Sequence, residues 1–130
     1  MNQDDTIRAV TTPGAPAAIG PYSQGVAAGG LLFVSGQLPL DPQTGEFVAG
    51  GIEAKTHRCL KNIAAIAQAA GTGLDRAVKL TVFLTDLANF ARVNQVYGQY
   101  FKAVLPARSA VQVAALPKGA EIEIEAILKR

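Results

Sequence analysis

One cysteine and one histidine in 130 residues leave little with which to build a metal centre. A lone thiol, Cys59, closes no internal disulfide, and together with His57 it falls short of the ligand count of a zinc or iron site, so no metal is expected. Tryptophan is absent, and the three Tyr and five Phe do not interleave with Lys or Arg as they would on a base-stacking platform. No basic run exists either: twelve basic and ten acidic residues are scattered along the chain for a net charge of +2, which argues against a nucleic-acid partner. No apolar stretch approaches the length of a membrane span, and the first residues are acidic and polar where a signal peptide would be basic and then apolar, so a soluble cytoplasmic protein with no membrane partner is expected. Also missing are a Gly-rich phosphate loop, a dinucleotide fingerprint, a nucleophile elbow and a closely spaced His-Glu-His.

What is present is a greasy chain, 49% hydrophobic and only 17% charged. That length and composition suit one compact domain over residues 1–130, with a flexible or loop-rich start at 1–16, and the shortage of charge points to a buried oligomer surface. Gly29-Gly30 between residues 26–28 and 31–34 reads as a hairpin turn, with the pair Ala9-Val10 as a short strand before it. Asp41-Pro42-Gln43-Thr44-Gly45 is turn chemistry within a surface connection. From Ile52 the apolar period becomes helical through Cys59, Ile63, Ile66 and Ala70, with Gly71 as the cap. Residues 76–85 alternate, placing Val78, Leu80, Val82 and Leu84 on one face of a strand. A second helix is expected from Asp86 to just before Pro106, with Phe90, Tyr97, Phe101 and Val104 turned inward, followed by strands at 108–115 and 121–128. This order predicts an α/β (α+β) domain, two helices packed on one face of a mixed sheet. Strands with apolar or small residues on both faces then imply that the helix-free face meets another subunit.

Few polar residues fall where chemistry needs them. Arg108 begins a strand beside small Ala110 and Ala114, which leaves room for a guanidinium on the helix-free face, either to grip a carboxylate by paired hydrogen bonds or to form a strand-end ion pair. Glu121, Glu123 and Glu125 share one side of the last strand. They form a solvated face, unless an interface there raises one carboxyl into the range of a general base. Asn94 lies between Phe90 and Tyr97 on the inward stripe of the second helix, where its amide must find partners. Tyr22 follows the Gly20-Pro21 turn and either closes over a pocket or anchors its loop, while Ser35-Gly36 lets a ligand approach backbone or marks a bulge. Cys59 reads as a buried thiol and His57 as an exposed imidazole. Ser109, on the opposite face from Arg108, lacks a base.

In order along the chain, residues 17–24 (AAIGPYSQ), Ser35-Gly36-Gln37, the Asp41 to Glu46 turn, Thr81-Val82-Phe83, Val93-Asn94, Pro106-Ala107-Arg108-Ser109, Leu116-Pro117-Lys118 and residues 122–126 (IEIEA) resemble the YjgF/RidA family. The resemblance covers the chain from about Ala17 to its end. It implies a chorismate-mutase-like fold and a homotrimer with clefts between subunits. It also implies hydrolysis of reactive 2-enamine and 2-imino acids such as 2-aminoacrylate to 2-keto acids and ammonia, which protects pyridoxal-phosphate enzymes and needs no cofactor. Carried over by position, Arg108 is the carboxylate-binding arginine and Glu123 the water-activating glutamate, while Tyr22, Ser35, Gly36 and Asn94 fall on pocket positions. Many relatives have cysteine two residues after the arginine, where this chain has Ala110, which bears on substrate preference. Two other readings are a non-catalytic, chaperone-like trimer that binds small carboxylates, and an endoribonuclease or translation inhibitor. The lone His57 and the missing basic stripe argue against the last.

Overall fold

The structure, a computed structural model, describes residues 6–130. Eight elements follow one another: β1 (Arg8–Val10), β2 (Gly25–Ala28), β3 (Leu31–Gln37), α1 (Ile52–Ala69), β4 (Ala77–Leu84), α2 (Phe90–Tyr97), β5 (Ala107–Gln112) and β6 (Ile122–Lys129), with single 3-10 turns before β4, α2 and β6. Within the segment expected to be loop-rich, β1 is formed and pairs with β2; residues 1–5 lie outside the described part. No helix among the described residues is long and apolar enough to cross a membrane.

The six strands form one sheet in the order β1-β2-β3-β6-β4-β5. All pairs are antiparallel except β4 with β5, so the sheet is mixed. Gly29 and Gly30 both adopt positive φ, 56° and 80°, which is the twist-matched hairpin turn the sequence calls for. Both helices pack on one face, as the period predicts. Ile52, Cys59, Ile63 and Ile66 of α1 meet Leu32, Leu80, Val82, Leu84, Ile122, Ile124 and Leu128 in a single core. Where α1 crosses β2, a Cβ on Gly25 would lie 2.9 Å from the Ile66 side chain, so only glycine admits the helix this closely. Cys59 is fully buried, and burial pushes its thiol pKa up. His57, expected to be exposed, is half-buried, with Nδ1 2.8 Å from the Tyr100 hydroxyl.

Three expectations about the elements are corrected. Asp86 does cap, accepting a hydrogen bond from the Ala88 N–H at 2.9 Å, but it opens a 3-10 turn, and α2 runs for only 8 residues before Gly98. Glycine costs about 1 kcal/mol against alanine in a helix. Here the chain leaves the helix at that point and tucks Phe101 back against Tyr97, ring centroids 4.7 Å apart, leaving Val104 81% exposed rather than inward. In β4 the register shifts between Ala77 and Lys79, so Ala77 takes the inward position and Val78 turns out to solvent. The fifth strand begins one residue earlier than expected and ends at Gln112.

Candidate functional site

A cleft of about 700 Å3 opens on the helix-free face, where the segment between β1 and β2 folds over the ends of β3 and β6. One buried side chain holds that segment in place. Gln24, 3% exposed, accepts from the Thr12 N–H at 2.7 Å, and its amide nitrogen donates toward the carbonyls of Thr12, Ala15 and Pro16 at 3.0, 3.2 and 2.8 Å. Ser35 ties the same segment to β3: its hydroxyl donates to the Ser23 carbonyl at 2.5 Å and its N–H to the Gln24 carbonyl at 2.9 Å. Fully buried Asn62 of α1 donates to the carbonyls of Leu38 and Leu40, two residues that line the cleft, at 3.2 and 3.0 Å and so fixes the exit of β3.

Tyr22, Ser35, Gly36 and Glu123 all line this cleft, together with Glu125 and Lys118. Tyr22 is 54% exposed, and its hydroxyl accepts from the Ile19 N–H at 3.4 Å. The β3 register is irregular between Val34 and Gln37, and Gly36 sits in that bulge. A Cβ on Gly36 would stand 2.7 Å from Glu123 Oε2 and 2.8 Å from its Cδ, so the missing side chain is the space in which the carboxylate rests. Burial, reinforced by the negative charge of Glu125, raises the Glu123 carboxyl above its ordinary pKa. Lys118 adopts φ 59°, ψ 18°, a left-handed conformation uncommon for a residue with a side chain, in the tight Pro117–Gly119 turn on the rim. Glu121 does not join the row of carboxylates as expected. It precedes β6 and forms an ion pair with Lys55 of α1.

Arg108 and Asn94 lie elsewhere. In the parallel β4–β5 pair Arg108 is level with Leu80, and Leu80 is fully buried under the helices. Arg108 therefore projects from the helix-covered face, not from the helix-free face the sequence reading assigned to it. The smallness of Ala110 reflects its packing against the core beside Val82 rather than room for a ligand. The Arg108 guanidinium carbon lies 4.8 Å from the Tyr97 ring centroid and 5.1 Å from that of Phe90, and Nη1 donates to Asn94 Oδ1 at 2.6 Å. Asn94 is exposed, not buried, and its partner is this arginine. Glu123 is level with Phe83, one step out of phase with the buried Leu80–Val82–Leu84 row. Within one chain, the guanidinium and the carboxylate thus stand on opposite faces of the same sheet.

Sequence reasoning missed Gln24, Asn62 and Lys118. A glutamine or asparagine pinning carbonyls from distant loops leaves no local pattern. The left-handed Lys118, by contrast, had a signal in its flanking Pro117 and Gly119.

Residues 12–129 match the family model described as Endoribonuclease L-PSP. Human 2-iminobutanoate/2-iminopropanoate deaminase is 49% identical over 120 residues, covering 92% of this chain and 88% of its own. The structure of YyfA of the conserved Rid protein family from Yersinia pestis superposes with TM-score 0.94 at 48% identity, covering 96% of this chain and all of that one. E. coli TdcF, solved with bound serine, superposes with TM-score 0.90 at 48% identity over 95% and 98% of the two chains. Fold, sequence and the pattern of blocks agree, and the chain belongs to the YjgF/RidA family.

Proposed function

We propose that this protein is an imine deaminase that hydrolyses 2-imino acids to 2-keto acids and ammonia, working as a homotrimer with its clefts between subunits. The observation that carries the reading is Glu123: a carboxyl with a raised pKa, seated against Gly36 in a cleft of about 700 Å3, in a chain about half identical to named mammalian imine deaminases. A base whose pKa is lifted toward the working pH accepts and returns protons efficiently.

The chemistry needs an anchor and a base. Glu123 takes a proton from water as the oxygen adds to the C=N carbon, and passes it to the nitrogen to give a carbinolamine. It then takes the hydroxyl proton and delivers it to the nitrogen as the C–N bond breaks, releasing ammonia and leaving the keto acid. Arg108 holds the carboxylate by charge-assisted hydrogen bonds, each contributing roughly 1.5–3 kcal/mol. Because the two groups face opposite ways in one chain, the Arg108 that serves a cleft comes from a neighbouring subunit, and that requirement supports the oligomeric reading. Tyr22, Ser35 and Gly36 shape the wall around the base, and Asn94 braces the anchor.

An imino acid generated in situ by an amino-acid oxidase tests the proposal. Wild-type protein is expected to speed keto-acid appearance, while Arg108→Ala and Glu123→Gln each lower kcat/KM by about a hundredfold or more. Equal rates with and without these side chains would rule the site out. Binding of a keto acid that depends on Arg108, with no acceleration of hydrolysis, would favour the non-catalytic carboxylate-binding reading.

A further inference from the structure

Arg108 stands on an edge strand whose residues, apart from Ala110, are all exposed. An arginine there has four side-chain torsions to lose when it binds, and every rotamer given up weakens the grip. Its surroundings remove that freedom in advance. Phe90, Asn94 and Tyr97 occupy positions i, i+4 and i+7 of α2, one stripe of the helix, and all three reach the same guanidinium. Gly98 ends the helix directly after this stripe.

We infer that Phe90 and Tyr97 are positioning residues for Arg108: their ring faces hold the guanidinium so that the N–H groups not given to Asn94 stay free for the substrate carboxylate. The inference rests on the carboxylate-anchoring role proposed above for Arg108. The Tyr97 ring is what matters, because its hydroxyl is buried and has no hydrogen-bond partner among the described residues. Burial raises the Tyr97 pKa, with the Arg108 charge opposing, so the phenol stays neutral. Phe90, which has no hydroxyl, makes the same kind of contact at nearly the same distance. A cation over an aromatic face is held electrostatically by the ring, most firmly where water is excluded.

Binding of 2-oxobutanoate by calorimetry, alongside kcat and KM for an imino acid, tests the inference in Phe90→Leu, Tyr97→Leu, Tyr97→Phe and Arg108→Ala. Phe90→Leu and Tyr97→Leu are expected to raise Kd and KM roughly three- to thirtyfold while kcat stays within about twofold. Tyr97→Phe keeps the ring and is expected to bind within about twofold of wild type. Tyr97 is a core residue, so Phe90→Leu, at a half-buried position, decides the matter should Tyr97→Leu fail to fold. Unchanged Kd and KM in folded Phe90→Leu would overturn the inference, as would a Tyr97→Phe loss equal to that of Tyr97→Leu. Should Arg108→Ala itself bind 2-oxobutanoate as wild type does, the anchoring role falls, and the positioning role with it. Loss of binding in Arg108→Ala with none in Phe90→Leu overturns the positioning role alone.

Discussion

Glu123 and Glu125 are two residues apart on β6 and line one cleft, yet only Glu123 is half-buried. Burial is the larger cause of its raised pKa, and the Glu125 charge is the smaller. In the proposed role Glu123 works as a base when ionised, so activity is expected to be lost as pH falls through its raised pKa. Glu125→Gln removes the like charge and leaves the burial, which brings that pKa down part of the way. The acid limb of kcat/KM against pH is therefore expected to move to lower pH while the plateau persists; an unmoved limb would place the titrating group elsewhere. At this scale the sequence was informative about which side chains matter and silent about where they face. Strand alternation separated Arg108 from Ser109 correctly, but the absolute phase of β5 depends on its register with β4, and a short edge strand carries no strong apolar pattern to set that phase.

Elements with a deep apolar stripe were legible: α1, β4 and β6 each bury a regular set of large side chains, and the structure places them within a residue or two of where period puts them, whereas β3 runs on past Val34 through a bulge to Gln37. The boundaries of α2 and β5 were not, because Gly98 and a return of the chain through Phe101 outweigh a continuing helical pattern toward Val104. The loops framing the cleft depend on single amides. Asn62→Ala deletes the hydrogen bonds that satisfy the carbonyls of Leu38 and Leu40 and leaves the Leu40 bond, which is buried, unmade. A cost of about 2–3 kcal/mol is expected, read as a lower midpoint in urea with an unchanged slope. Hydrogen exchange should show the loss of protection concentrated in the connection after β3. A midpoint within experimental error of wild type would mean that water replaces the amide without penalty.

The molecule as a whole has one covered and one open sheet face. Phe33 and Val111, 42% and 41% exposed, lie on the open one, level with half-buried Ile127 and Phe83. Such exposure in a small, charge-poor chain fits the subunit interface proposed above. On the proposed reading, in which a neighbour's Arg108 completes each cleft, the division of Arg108 and Glu123 between faces makes each subunit half of two different clefts, which turns catalysis into a bookkeeping problem in genetics. Two alleles, each dead alone, should complement: in randomly mixed trimers of Arg108→Ala and Glu123→Gln chains, a cleft is whole only when each side draws the intact group, and about a quarter of clefts do so. Co-expression or subunit exchange at equal ratio is then expected to return roughly a quarter of wild-type turnover. Two dead alleles that stay dead after exchange would mean that no neighbour completes the cleft.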